Sequence, residues 1–431
     1  MSDIQISSFR IDASPPMGHP LCGGWIRPVV GQDDPTWLRG IVLLGAGEPI
    51  VLAALDWTGV QNESHRLWTE RLAEAAGTSA DRVAFHCVHQ HNAPFIDHEG
   101  NRLLKKHGAD PLMFDEAFVD ELMTISAIAV RNSLKKSRSV DLIGFGSAKV
   151  DQVACNRRVI GPDGKIKYTR TSSTRDPAAR AEPEGTIDPI LRSIGLFSMG
   201  RPLARLYYYT THPMSYYGDG RVSADFVGLA RQRRDEEEPE ALHLYFTGCA
   251  GNITAGKYND GSPENRPLLA DRVHAAMVAA DNSAEDHPLD SIGWQTLPIV
   301  FENREDLDLD ALLKIVADPD ESTVNRNRNA MTCGWLLRSA TKRPILLSRL
   351  DLGPIRTLHL PAETFVEYQL FAQQLDPDGP LAIAAYGDGG PWYIPLERSF
   401  DEGGYEPSVA WTSRQTEPFY KAKIEELLKR V

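Results

Sequence analysis

The sequence predicts an α/β architecture in which helices cover sheets on their faces. Strand-like and helix-like segments alternate through most of the chain, the strand-like runs are short and apolar, and the best-marked helix lies between a capping residue and a glycine. Taken in order, Ile50-Val-Leu-Ala-Ala-Leu-Asp56 reads as a buried strand. Asn62 is a suitable N-cap for a helix over 63–77, which stops near Gly77. Val83–Val88 is the next strand, and residues 115–136 carry apolar residues at helical spacing. Leu203–Tyr209 is a strand leading to Thr210-Thr-His-Pro213, and a helix follows from about Ser223. Leu242–Phe246 is a strand and 264–281 a helix. Ile355–Leu360 is a strand running into a helix opened by Pro361, and Leu381–Tyr386 is the final strand. Residues 161–187 are polar and rich in turn formers, so they form a long loop. The charged stretch 302–345 has a helical pattern and is expected to be a peripheral insertion.

Composition narrows the function classes. The chain has 431 residues, 42% hydrophobic and 24% charged, enough for a large core. Length alone points to two or three domains. Forty-six basic against 59 acidic residues give a net charge of −13, and no basic stripe is visible, so nucleic acid is an unsuitable partner. No run of about 18 apolar residues exists to span a membrane. The start, Met1-Ser-Asp-Ile-Gln-Ile6, lacks the basic and apolar regions of an export signal. Cys22, Cys87, Cys155, Cys249 and Cys333 are odd in number and dispersed, which argues for free thiols in a reducing compartment, hence a cytoplasmic location.

The chemistry collects where strands end, the edge at which open α/β sheets build their sites. His89 and His91 stand two apart at the end of a strand, where alternation turns them to the same side. Imidazole is the commonest ligand of a catalytic transition metal. By the same parity His86 shares that side, as a supporting or core residue. His212 follows the strand ending at Tyr209, and Glu363 is expected in the first turn of a helix. The loops Thr247-Gly-Cys-Ala-Gly-Asn-Ile253 and Tyr386-Gly-Asp-Gly-Gly-Pro-Trp-Tyr-Ile394 follow two further strands. Taken singly, each of these except the His-x-His pair is better explained by turn geometry, helix-dipole complementation or packing.

Together they carry a resemblance. Val88-His-Gln-His-Asn-Ala-Pro94 is similar to the Thr-His-Thr-His-Ser-Gly-Pro of the neutral ceramidases, secreted zinc amidases that cleave the amide of N-acylsphingosine. In the same order, Asn156-Arg157-Arg158-Val159 resembles their Asn-Arg-Ser-Pro, and Asp188-Pro-Ile-Leu191 their Asp-Lys-Glu strand opening. Thr211-His-Pro-Met214 with Ser223-Ala-Asp225 resembles their Val-His-Gly-Thr and Ser-Gly/Ala-Asp. Pro361-Ala-Glu-Thr-Phe365 resembles Pro-Gly-Glu-Phe-Thr, and Tyr393-Ile-Pro-Leu396 with Tyr405-Glu406 keeps the family's spacing of Tyr-x-Thr-Thr and Tyr-Glu. The likeness runs over residues 12–410.

The resemblance implies mixed β-sheets covered by helices, as in the ceramidase N-terminal domain, forming one large domain over 1–431. It implies Zn²⁺ held by His89, His212, Glu363 and Tyr393, a donor set that zinc accepts. His91 and Arg157 fall where the family contacts the substrate's polar head and developing oxyanion, and Tyr405 where a hydroxyl supports the scissile carbonyl. Gly248, Asn252 and Trp392 join Arg157 on the substrate side, and Asp225 is expected to orient a ligand imidazole. The implied activity is hydrolysis of an amide by a water that the metal acidifies toward pKa ~7. Three departures stand out. Gly248 occupies the place of the family's serine, the carboxy-terminal immunoglobulin-like domain is missing, and neither export signal nor lipid-handling segment is visible. Gly248 rules out a serine nucleophile there, and its small size is expected to leave room for another group. Cys249 beside it reads as a buried inert thiol rather than a nucleophile. These departures make ceramide doubtful and point to a small or amphiphilic N-acyl substrate. They leave open a hydrolase or lyase acting on a glycoside or other sugar-derived metabolite, with Trp25, Trp57, Trp392 and Trp411 able to stack on a ring. A non-catalytic protein with a vestigial metal site is the remaining alternative, and a homo-oligomer is compatible with the sequence.

Overall fold

The computed structural model describes residues 4–377 and 379–430. Three sheets share one construction. The first runs Val83–Cys87, Ile50–Leu55, Trp37–Leu44, Gln5–Asp12, Arg138–Ser139. The second runs Leu242–Thr247, Arg201–Tyr209, Ile190–Ser198, Leu142–Lys149, Glu285–Pro288. The third runs Ile292–Ile299, Ile345–Leu352, Ile355–His359, Leu381–Ala384. Each is antiparallel except for one parallel pair at an edge: Ile50–Leu55 with Val83–Cys87, Arg201–Tyr209 with Leu242–Thr247, and Ile355–His359 with Leu381–Ala384. Parallel strands need protein on both faces, which is why Ile50–Leu55, Val83–Cys87 and Leu381–Ala384 are buried at every position rather than alternating. The architecture is mixed α/β with helices over the sheets.

The three parallel pairs are tied together at their carboxyl ends. Cys87 N–H donates to Tyr386 O at 2.9 Å, Ala385 N–H to Thr247 O at 2.8 Å, and the Thr247 hydroxyl to Val88 O at 2.7 Å. These bonds cross from sheet to sheet at the point where regular pairing stops. They satisfy backbone groups that would otherwise be buried without partners, and they bring three strand-end loops to one place.

Most expected elements fall within a few residues of their sequence bounds. The helix expected over 63–77 is Asn62–Ala76, with Gln61 rather than Asn62 at the N-cap and Gly77 closing it in the left-handed conformation (φ 72°). Helices also form over Glu116–Leu134, Asp225–Glu237 and Asn265–Asn282. Residues 161–187 are not wholly loop: Arg158–Ile160 and Ile166–Thr169 form a hairpin, and Pro177–Ala181 a short helix. The helical pattern over 302–345 resolves into Leu309–Ala317 and Thr323–Ala340. The second of these is not peripheral; it buries Ala330, Met331, Cys333 and Trp335 in the main core.

The expectation of a helix opened by Pro361 fails. Glu363–Thr364 is a two-residue strand parallel to Tyr393–Ile394, and the helix begins only at Val366. Ala362 takes φ 53° just before it. Glu363 therefore stands opposite Tyr393 on paired backbone rather than on a helical turn.

Candidate metal centre

His89 does not sit on a strand. The Val83–Cys87 strand stops two residues earlier, and His89 has φ 79°, unusual for a side chain of its size. That turn replaces strand alternation as the reason His89 and His91 meet, with ring centroids 5.0 Å apart. It also separates them from His86, whose ring lies against His359 instead. Positive φ recurs around the centre, at Ala362, Tyr386 and Trp392. Backbone strain of this kind is held only where surrounding structure enforces it.

Hydrogen bonding fixes the tautomers of two imidazoles. His89 Nδ1 lies 2.5 Å from Thr58 O, and His212 Nδ1 lies 2.7 and 2.8 Å from Ala250 O and Ile253 O. A carbonyl only accepts, so both Nδ1 atoms carry a proton, and in the neutral form of each ring Nε2 presents a lone pair. Those lone pairs face other acceptors. His212 Nε2 is 3.0 Å from Glu363 Oε2, and His89 Nε2 is 3.4 Å from the same oxygen and 3.4 Å from His91 Nε2. All three histidines offer nitrogens within 4.8 Å of one another. Ligand bonds of about 2.0–2.1 Å in a tetrahedral zinc site put neighbouring donors about 3.3–3.4 Å apart. The cluster matches that spacing, and a cation between these buried atoms would satisfy them together. It can hold a metal.

Tyr393 joins on the Glu363 side. Burial and then the Glu363 carboxylate push its phenol well above the usual tyrosine range, against the pull of Arg157. Burial works against the Glu363 carboxylate too, but the His89 and His212 rings outweigh it and hold that group well below the usual range. Burial, then His89 and His212, lower His91, which is therefore a neutral imidazole. Arg157 Nη1 donates to Tyr393 OH at 3.3 Å and to Gly251 O at 3.4 Å, while its Nε lies 3.0 Å from Glu406 Oε1. Its guanidinium sits 5.6 Å from the ring centroid of Tyr405, and that ring is edge-on to Tyr393 at 5.7 Å. The Tyr405 phenol is pushed up to about 12, first by burial and then by Glu363, so it is a donor at neutral pH.

The remaining expected residues divide. Trp392 is beside the centre, stacked on Trp25 (5.3 Å, 23°) and edge-on to Trp411 at 5.1 Å. Trp57 is not part of that wall; it is core, bonded to Ala13 O and packed on Trp68. Asn252 uses its side chain on Val366 N–H and Glu367, each at 2.9 Å, and lines a separate cavity with Arg158 and Phe365. At Gly248 the expected spare room is absent: an added Cβ would lie 2.3 Å from Thr210 Oγ1 and 2.7 Å from Gln369 Oε1. Asp225 does not reach His212. Its carboxylate accepts from Ser215 N–H at 3.0 Å and faces Arg266 at 3.6 Å, and backbone carbonyls take the orienting role. Cys249 is buried beside Gln369, and burial pushes its thiol far up, as an inert thiol requires.

Sequence reasoning missed several participants. Thr58 O orients His89, and no side-chain pattern marks a backbone carbonyl. Tyr386 packs on His89 at 4.4 Å with its hydroxyl buried and unpaired. Its position at the head of the glycine loop was the available signal. Cys22 Sγ lies 3.8 Å from His91 Nδ1, and Tyr217 faces His91 at 5.1 Å.

The chain has the fold of the neutral ceramidases. It superposes on neutral ceramidase from Pseudomonas aeruginosa with a TM-score of 0.71 and 14% sequence identity, covering 98% of this chain and 74% of that one. A second solved structure, of a ceramidase complexed with C2, gives a TM-score of 0.72, 13% identity and the same coverage. No protein-family model matches the chain, and no curated protein matches it by sequence.

Proposed function

We propose that the protein is a metal-dependent amidohydrolase, with zinc as its ion and a small or amphiphilic N-acyl compound as its substrate. One observation carries the reading: the lone pairs of His89 Nε2, His212 Nε2 and Glu363 Oε2 converge at 3.0–3.4 Å with Tyr393 alongside. The ceramidase fold supports it. A bound divalent ion would supply Lewis acidity and a water acidic enough to ionise near neutral pH.

The chain's own groups then divide the work. His91, neutral and 3.4 Å from His89 Nε2, accepts a proton as water adds to the carbonyl carbon. It returns that proton to the nitrogen as the C–N bond breaks, giving a carboxylic acid and an amine, and the acid's proton then passes to the amine to leave a carboxylate and an ammonium. Tyr405 donates to the oxygen on which charge develops, and one such donor is typically worth about 3–4 kcal/mol. Arg157 holds Tyr393 and, with Glu406 fixing its other edge, offers a rigid cation to polar substrate atoms. The stacked Trp25 and Trp392 also suit a sugar ring, so glycosides and lactones form the second substrate panel.

The test is amine release from N-acyl compounds by zinc-loaded and chelator-stripped protein. Activity that depends on zinc, and that falls about 10²–10³-fold in H91A and Y405F while both retain the metal, is the expected result. Metal retention with no hydrolysis of amides, glycosides or lactones would favour a non-catalytic site.

A further inference from the structure

Arg328 differs from the other arginines of its helix, Thr323–Ala340. Arg326 donates to Val316 O and His107 O, and Arg338 to Asp388 and Pro344 O. Among the described residues, the Arg328 side chain makes no hydrogen bond and no ion pair, although its Nε is fully buried. Its guanidinium lies 4.7 Å from the ring centroid of Trp25, the tryptophan stacked on Trp392 beside the metal centre. The Trp25 Nε1–H is likewise buried without a partner. Both unpaired groups are donors. Leaving them so is unfavourable unless an acceptor completes them.

The helix holds this arrangement in place. Asn327, next to Arg328, donates to Gly23 O at 2.8 Å and so grips the Cys22–Gly24 turn that leads into Trp25. Cys22 in that turn touches His91. The charge of Arg328 is felt at Cys22, Tyr217 and Tyr405, where it opposes the upward push of burial on each group. Through Trp25 the guanidinium backs the aromatic stack that runs on to Trp392 and Tyr393. Arg157, the other cation there, is already matched by Glu406.

We infer that Arg328, set against the Trp25–Trp392 stack, is a specificity-determining residue that binds a carboxylate of the substrate. The substrate class is then an anionic N-acyl compound, such as an N-acylated amino acid, rather than a neutral amide. A guanidinium fork matches a carboxylate with paired hydrogen bonds. With a net charge of −13 on the chain, an anion needs such a local cation to enter. This inference rests on the proposed amidohydrolase reading for its substrate, but its test does not.

Two probes differ at one terminal group, charged in the first and neutral in the second: N-hexanoylglycine, and N-hexanoylethanolamine, which has a hydroxymethyl in place of the carboxylate. Binding of each to zinc-loaded protein is measured by calorimetry, with hydrolysis followed separately. The wild type is expected to bind the glycine conjugate about tenfold more tightly than the ethanolamide. R328Q is expected to bring that ratio to about one, and R328K, which keeps the charge without the fork, to leave it between the two. Melting curves of both variants check that they are folded. A charge preference that follows Arg328 without any hydrolysis would refute the amidohydrolase reading and leave the anion site standing. Equal binding of the two probes by the wild type, binding of neither, or an unchanged ratio in R328Q would overturn the inference.

Discussion

Two histidine clusters adjoin the segment around Tyr386, and among the described residues only the first is arranged so that it could hold a metal. In the first, His89 and His212 give their Nδ1 protons to backbone carbonyls and turn lone pairs toward Glu363. In the second, His86 Nδ1 lies 2.6 Å from Ala385 O, its Nε2 lies 3.1 Å from His359 Nδ1, and His359 Nε2 lies 2.9 Å from the Thr357 hydroxyl. Here each ring nitrogen already has a partner, and among the described residues no carboxylate is bonded to either ring. The second cluster lines a cavity of about 220 Å³ with His65 and Arg338, larger than the space of about 20 Å³ bordered by His89, Glu363 and Tyr386. Histidine count and cavity size therefore do not distinguish a cluster that could hold a metal from one that is internally satisfied. The destination of the hydrogen bonds does.

The comparison predicts its largest effect from the first cluster. H212A should lose both metal and turnover, because a lone pair and its carbonyl anchor go together, whereas H359Q should keep both. Elemental analysis alongside the amidase assay reads this, and loss of metal in H359Q would erase the distinction. A smaller effect should come from the backbone that carries Glu363. An alanine Cβ at Gly251 would lie 2.2 Å from Glu363 O, so the strand bearing Glu363 must shift. G251A should weaken metal affinity about 10–100-fold, as loss of a supporting contact typically does. Competition with a chelator measures it, and unchanged affinity would show that Glu363 tolerates the displacement.

The second cluster should report through stability and pH. Burial lowers His86 from 6.5 to about 4, with its carbonyl hydrogen bond opposing and the His65 charge adding to the shift. The unfolded chain takes up that proton first as pH falls. The stability from neutral His86 is present above about 6.5 and is lost as pH falls toward 4, on the order of 1–3 kcal/mol. H86Q should flatten this part of the acid limb when urea midpoints are compared at pH 7 and 4.5 under the same metal load. An acid limb as steep as that of the wild type would remove His86 from the account.

The sequence was most informative where one residue type serves a local rule. Continuous apolar runs marked the parallel strands, and Gly77 marked a helix end. Short motifs in order were enough to bring His89, His91, His212, Glu363, Tyr393, Arg157 and Tyr405 into one neighbourhood. Reasoning from local rules failed where backbone geometry broke them. Strand parity put His86 with His89 and His91 because nothing in the sequence shows the φ of 79° at His89. Helix propensity after Pro361 gave way to pairing with Tyr393–Ile394, a contact between segments distant in sequence. Gly248 looked like room because the side chains filling that space, Thr210 and Gln369, come from other elements. Thr58 O and Arg328 were invisible for the same reason: their roles exist only once three strand ends and the Thr323–Ala340 helix have met.

Calorimetric titration of metal-free protein with zinc, for the wild type, H359Q and E363A, tests the central claim most directly. One tight site per chain in the wild type and in H359Q, with none in E363A, is the predicted result. Tight zinc binding that survives E363A, or that disappears in H359Q, would contradict it.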